Sequence, residues 1–350
     1  MSLFLKNKIA TKVSCPEFDR FFQEFRQAHM FQEVSLEQFS QAFYDRFDWD
    51  LMPWLSYWYN ENKRPRLIIK DIQTDALQHE ELKGYTSHFR IYNPTEEDAI
   101  ISVSARSRPV YANNFEIGAG KAKEIRFITQ TRPVQILINT GLSENIPMTI
   151  NWTAKPGKTI VSSDTSQGIF DMDPDYFQLA AGEIIVDNED PGFTIDEVTK
   201  YQNITTNFSP QQKKYGKFLE VNSNKWTPIV EDNCYGSHIL SAYARLRERE
   251  GDSVSWTTSV PKAGRYELWV YIPWITSVLH EKGTILQQYY TIEENGAERE
   301  IEIDILKDTG WVLLGEFELL EGENKVTLLD KGVKGQRLIA DAVKWKRIKN

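Results

Sequence analysis

The sequence predicts a mainly β protein: a short N-terminal helical segment, a small Ig-like antiparallel sandwich, then a larger jelly-roll-like β-sandwich. Three observations carry this reading. Apolar residues before about residue 65 recur at helical spacing, while beyond it they recur with period two. Turn-forming residues such as Asn93-Pro94, Gly118-Ala119-Gly120 and Gly141 punctuate the alternating runs. The strand–helix alternation of nucleotide-binding folds is missing throughout.

The helical segment is well punctuated. Ser14, followed by Pro16 and Glu17, matches a capping box with proline in the first turn, after which Phe18, Phe21, Phe22 and Phe25 fall on one face. Ser35 with Gln38 predicts a second capped start, flanked by the staple pair Val34 and Phe39. Asp50 is placed to cap a third helix carrying Leu51, Trp54, Leu55 and Trp58. So aromatic a stripe must dock against something, either the next segment or a further domain.

Four segments follow from the change of period. Residues 1–64 form the helical part and residues 65–156 the Ig-like sandwich, with strands in LIIKDIQ, HFRIYNP, IISVSAR, EIRFIT, VQILINT and MTINWTA. Residues 157–182, rich in Ser, Thr, Asp and Gly, read as a linker with one helical turn near Asp175 to Leu179. Residues 183–350 form the larger sandwich, with strands in phrases such as SVSWTTSV, RYELWVYIP, QQYYTIEE, WVLLGEFEL and NKVTLLD.

Composition narrows the function. With 41 Lys+Arg against 50 Asp+Glu the net charge is −9, which disfavours nucleic acid as a partner because such binding depends on a basic face. The 10 Trp, 15 Tyr and 18 Phe suit β-rich cores and surfaces that stack on sugars or proteins. Two cysteines, Cys15 and Cys234, lie far apart with no ligand spacing around either, so no zinc site follows and a disulfide between them is unsupported. No stretch is apolar enough to predict a membrane span, and the first residues lack the pattern of a signal peptide. The chain is therefore expected to be either cytosolic or a piece of a longer exported protein.

Two resemblances sit on specific residues. SLEQFSQAFYDRFDWDLMPWLSYWYNENKRPRLIIKDI, with Phe39, Phe43, Asp50-Leu51, Trp54, Trp58 and Pro65, resembles the tail of the catalytic region in zinc aminopeptidases of the aminopeptidase N family. That chemistry needs two His at i and i+4 of a helix with a Glu between them. His79-Glu80 has Lys83 where the second His belongs, and His280-Glu281 has Thr284. The resemblance thus implies a non-catalytic fragment, partnered by an upstream peptidase domain of the same polypeptide that would hold the zinc. VDNEDPGF at 186–193, YGSHILSA at 235–242, SVSWTTSVPKAGRYELWVYIP at 253–273, GWVLLGEFELLEGENKVTLLD at 310–330 and ADAVKW at 340–345 resemble the golvesin-like C-terminal domain, also described as similar to the carbohydrate-binding domain of xanthan lyases. This implies an extracytoplasmic protein whose last domain binds a polysaccharide or envelope polymer. The rival expectations are purely structural sandwiches that dock the peptidase, or a hydrolase whose site forms between domains.

Candidate binding residues are ring-bearing positions after Pro273: Trp274, His280, Tyr289 and Tyr290, with Trp274 first, because sugars stack their C–H faces on exposed rings. Trp226, Trp256, Trp311 and Trp345 lie in strand phrases and are expected in the core. In RYELWVYIP, Tyr266, Leu268 and Val270 share one face of the strand and Glu267, Trp269 and Tyr271 the other. Asp187, Asn188, Glu189 and Asp190 precede Pro-Gly, and two readings fit: a calcium site, or the favoured capped turn that solvates its own backbone. Catalytic residues and cofactors are expected to be absent from this chain.

Overall fold

The computed structural model describes residues 3–55, 63–79, 82–153, 161–180, 182–196, 214–247, 251–274, 286–294 and 296–348. The chain divides into two compact units, Met1–Tyr176 and Phe177–Asn350.

In the first unit, helices α1 (Leu3–Ile9), α2 (Cys15–Ala28) and α3 (Leu36–Phe47) precede the strands. The capping box at Ser35 forms as predicted: the Gln38 N–H donates to Ser35 Oγ at 3.2 Å and the Ser35 N–H donates to Gln38 Oε1 at 2.9 Å. Ser35→Ala is expected to destabilise the helical part by about 1 kcal/mol, read as an earlier loss of far-UV ellipticity on heating; an unchanged melt would show the cap to be idle. At Ser14 the hydroxyl donates to the Glu17 carboxylate instead, and that bond holds the Glu17 pKa below the usual range.

Phenylalanines at helical spacing meet across α2 and α3. Phe21 packs edge-on against Phe43 at 5.6 Å and Phe47 at 5.3 Å between ring centroids, and Phe43 is completely buried. Ile9, Leu51 and Leu55 complete this cluster. Asp50 Oδ1 accepts the Met52 N–H at 2.9 Å, opening a helical turn, while Trp58 lies outside the described residues. The aromatic stripe therefore finds much of its cover within the segment itself. Lys8 Nζ (2.6 Å) and Thr11 Oγ1 (3.1 Å) both donate to Glu116 Oε1, tying the helices to the sandwich that follows.

That sandwich is built from β1 (Ile68–His79), β2 (Leu82–Tyr92), β3 (Ala99–Ala105), β4 (Tyr111–Ile117), β5 (Ala122–Thr129), β6 (Gln135–Asn139), β7 (Thr149–Thr153), β8 (Val161–Ser162) and β9 (Gly168–Met172). One sheet runs β8-β1-β2-β5-β9 and the other β4-β3-β6-β7. The partition of β1, β2 and β5 from β4, β3, β6 and β7 is an immunoglobulin-type arrangement. Alternate residues Phe89 and Ile91, Ile101 and Val103, Ile125 and Phe127, Ile136 and Ile138 are buried, as the period of two requires. His79, the first residue of one His-Glu pair, ends strand β1 and is not on a helix.

The stretch read as a linker differs from expectation. β8 pairs in parallel with β1, and β9 pairs antiparallel with β5, so both edges of the first sheet come from residues 157–182. Their sequences are short and polar because an edge strand faces solvent on its free side, which erases the alternation used to find strands. A 3₁₀ turn at Pro174–Phe177 takes the place of the predicted helical turn. Its Tyr176 hydroxyl donates to Asp71 Oδ2 at 2.6 Å, and Arg90 donates to the same oxygen at 2.9 Å, holding Asp71 in a left-handed conformation (φ 55°) at the bulge of β1.

The second unit contains β10 (Glu183–Val186), β11 (Phe193–Asp196), β12 (Thr227–Val230), β13 (Ser241–Leu246), β14 (Ser253–Val260), β15 (Gly264–Ile272), β16 (Gln287–Glu294), β17 (Ala297–Asp304), β18 (Gly310–Leu319), β19 (Gly322–Leu329), β20 (Arg337–Ala340) and β21 (Val343–Arg347). A four-stranded sheet, β10-β21-β15-β18, and a five-stranded sheet, β11-β14-β19-β16-β17, share one core in which Trp256, Trp345, Leu268, Val270, Tyr290 and Val326 are buried. A three-stranded sheet, β12-β13-β20, covers a smaller cluster around Ile229, Ala242, Ala244 and Ile339. Both cysteines are free, Cys15 exposed and Cys234 buried.

Candidate ligand-binding face

Strand β15 shows why one face of the four-stranded sheet is unusual. Tyr266, Leu268, Val270 and Ile272 point into the core, leaving Glu267, Trp269 and Tyr271 on the outer face, as the alternation predicts. Register then adds neighbours on that face: Trp311 lies opposite Tyr271, Leu313 opposite Trp269 on one side, and Lys344 opposite Trp269 on the other. Trp311 departs from the expectation of a core tryptophan. Phe317 and Leu319 face inward, and continuing their parity would bury Trp311 as well. The bulge opposite Leu268/Trp269 inserts Leu314, shifts the parity by one residue, and turns Leu313 and Trp311 outward. Trp226, Trp256 and Trp345 are buried as expected.

A loop completes the face. Gly236 has φ 148°, and a Cβ there would lie 1.8 Å from the Ile239 carbonyl oxygen, so only glycine permits this path. Just before it, the Tyr235 N–H donates to Asp341 Oδ2 at 3.0 Å. This seats the Tyr235 ring 5.1 Å from Trp311 and 5.5 Å from Tyr271, while Tyr271 and Trp311 stand 5.3 Å apart. Three rings thus touch one another, and all three remain half-buried. Lys344 places its ammonium 4.6 Å from the Trp311 ring and 5.3 Å from Trp269.

The electrostatics of the face keep its phenols neutral. Burial pushes the Tyr235 hydroxyl well up, with Asp187 and Asp341 adding to it, and burial with Asp341 does the same to Tyr271. Both remain hydrogen-bond donors across physiological pH. Lys344 is shifted down by its partial burial, although Glu183 and Glu267 pull the other way. Glu267 is already engaged, accepting from Lys346 Nζ at 3.1 Å and from Trp269 Nε1 at 3.2 Å, and the Lys346 bond holds it below the usual carboxylate range. Under the face lies Asp341, 2% exposed, with Oδ1 making no hydrogen bond; burial and Asp187 push its pKa far up.

Of the ring residues singled out after Pro273, Trp274 follows the end of β15 and is half-buried, while His280 lies outside the described residues. Tyr289 and Tyr290 are in strand β16, as the phrase QQYYTIEE predicts. Tyr290 is 1% exposed within the core, which rules its ring out as a stacking surface. Strand alternation puts Tyr289 on the outer face of the five-stranded sheet, where Lys331 Nζ sits 4.6 Å over its ring. These tyrosines do not join the Trp269–Tyr271–Trp311 group. Tyr235 escapes sequence reasoning because nothing local in a loop sequence says which sheet it will cover.

The Asp187–Asp190 run makes a turn: the Asp190 N–H donates to the Asp187 carbonyl at 3.0 Å, and the Asp187 N–H to Asp190 Oδ2 at 2.8 Å. Glu189 Oε1 accepts from Ser241 at 2.8 Å and Tyr215 at 3.1 Å. Among the described residues no group of three or more His, Cys, Asp or Glu side chains is arranged to hold a metal ion.

Residues 212–347 match the Golvesin C-terminal domain. The matched stretch begins ahead of β12 and ends with β21, and β10 and β11, which lie before it, belong to the same sandwich by pairing with β21 and β14. No curated protein matches the chain. Solved structures with some likeness include a Paenibacillus xanthan lyase (15% identity, TM-score 0.34, covering 81% of this chain and 26% of that one). A CBM35 from Cellvibrio japonicus Abf62 (16%, 0.26, 47% and 91%) and a Podospora anserina GH26-CBM35 mannanase (14%, 0.27, 49% and 29%) are also similar. The chain spans about a quarter of the xanthan lyase it resembles. At these scores the likenesses say nothing about what this chain binds. No helix among the described residues is long and apolar enough to cross a membrane.

Proposed function

We propose that the C-terminal sandwich is a non-catalytic glycan-binding module that tethers its parent protein to a polysaccharide or envelope polymer outside the cytoplasm. The observation that carries this reading is the outward cluster of Trp269, Tyr271, Trp311 and Tyr235 on one sheet face, with Lys344 set between the two tryptophans. Ring faces accept the apolar C–H side of a sugar, and the neutral phenols and the ammonium supply donors for its hydroxyls. A rigid sheet holds these groups without an ordering cost at binding. Trp274, at the exit of β15, is a further candidate contact.

Isothermal calorimetry of the full chain against soluble polysaccharides tests this. Trp269→Ala and Trp311→Ala are each expected to weaken the best ligand about tenfold, roughly 1.4 kcal/mol. Tyr289→Ala, on the other sheet, should leave affinity within about twofold, a change below 0.5 kcal/mol. Absence of heat with every polymer would retire the reading in favour of purely structural sandwiches.

The parent is, on this reading, a zinc metallopeptidase whose metal is held upstream of this segment. The aminopeptidase-like phrase at residues 35–72 supports it, and the packing of the helices against the first sandwich is equally compatible with a spacer. A His-Glu-x-x-His motif encoded ahead of Met1 would sustain the peptidase; another kind of domain there would remove it.

A further inference from the structure

We infer that this face selects acidic glycans, with Lys344 reading the carboxylate of a uronate-type sugar stacked between Trp269 and Trp311. The inference rests on the glycan-binding reading above and concerns its ligand class.

Lys344 is the distinctive charge of the face. Its neighbours are committed: Lys346 pairs with Glu267 at 3.1 Å, and Arg265 pairs with Glu316 at the far end of the sheet. Among the described residues Lys344 has no carboxylate within 4.0 Å, and the two indole rings flank its ammonium. Strand alternation aims it outward, since Val343 and Trp345 on either side are buried.

A half-buried ammonium with no described carboxylate in contact is poorly satisfied. Burial disfavours its charge, while the partly shielded setting strengthens attraction to an anion placed beside it. Neutral sugars offer only hydroxyl oxygens, whereas a carboxylate offers a charged acceptor, and such bonds are about twice as strong. Glu183, Glu267 and Asp187 surround the face and the protein as a whole carries −9, so the long-range field opposes any polyanion and the preference must come from local pairing with Lys344. One carboxylate per sugar, delivered to one ammonium, supplies that pairing.

Matched polymers differing only in charge test the inference in the full chain: polygalacturonate against its methyl ester, and polyglucuronate against neutral soluble β-glucan, both by calorimetry. The acidic member of at least one pair is expected to bind about tenfold tighter, equivalent to 1.4 kcal/mol, with the margin shrinking as salt rises from about 0.05 M to 0.5 M. Lys344→Met should equalise that pair and Lys344→Arg should keep the preference, with near-UV circular dichroism confirming that both variants fold. Equal affinity within both pairs would overturn the acidic class and leave glycan binding standing. A preference that survives in Lys344→Met would overturn the role of Lys344. No binding by any of the four polymers, nor by a wider neutral panel, would overturn the class and the glycan-binding reading together.

Discussion

Replacing Arg245 with alanine is expected to destabilise the C-terminal unit by about 3–5 kcal/mol. Arg245 lies in β13 with its side chain 1% exposed, its Nη2 3.2 Å from Asp330 Oδ2 and its Nη1 bonded to Asp252. The Asp330 side chain is fully buried, and Arg247 Nε lies 3.8 Å from its Oδ1. The guanidinium also lies 5.7 Å from the Trp226 ring. Removing Arg245 therefore takes a close cation from a buried carboxylate and opens a hole beside an indole. Desolvating two ions costs about as much as their pairing returns, so the double change Arg245→Met with Asp330→Leu should recover most of the loss. Hydrogen exchange of peptides spanning β13 and β19 reads both free energies within the intact chain. A loss below about 1 kcal/mol for Arg245→Ala, or no recovery in the double variant, would show that the network is not what holds these strands.

Legibility in the sequence follows the reach of each signal. Period-two alternation finds the strands whose two faces differ, and in β15 it separates Trp269 and Tyr271 from the core by sequence alone. Parity also assigns Tyr289 and Tyr290, in the strand phrase QQYYTIEE, to opposite faces, so only one of the pair could ever be exposed. Trp311 defeats the local reading for a different reason. Its parity is set by a bulge, and a bulge depends on the partner strand, which no local window contains. Edge strands β8 and β9 lack alternation because one side faces water. Tyr235 joins the face through a glycine-permitted turn and a hydrogen bond from its backbone to Asp341, more than a hundred residues away. The phenylalanine spacing predicts the helical faces correctly but leaves their cover open between the next segment and a further domain: spacing shows that a face must be covered, and not by what.

Asp341→Asn is expected to stabilise the C-terminal unit increasingly as pH rises. The carboxyl is buried at the junction between β20 and β21, beside Asp187, the Cys234 thiol and the phenols of Tyr235, Tyr271 and Tyr290. Burial and the Asp187 charge raise its folded-state pKa well above the unfolded value, so the native protein holds a proton that the unfolded chain releases. The stability this group contributes is complete below the unfolded pKa of about 3.9 and declines by about 1.4 kcal/mol for each pH unit above it, until the folded pKa is passed. Asparagine keeps an oxygen to accept the Tyr235 N–H and cannot ionise, so the variant should lack this decline. The difference between the two proteins should be small at pH 4 and widen with pH above it until the folded pKa is passed. Exchange-derived opening energies for β14 and β19 between pH 5 and 8, corrected for the intrinsic rate, measure it directly. Parallel pH profiles for wild type and Asp341→Asn would mean that the buried carboxyl is ionised, with a compensating cation beside it. The same pair of proteins separates two roles at the binding face. If Asp341 merely seats Tyr235 through its acceptor oxygen, the asparagine variant should bind glycan as wild type does at low pH and hold that affinity further into the alkaline range.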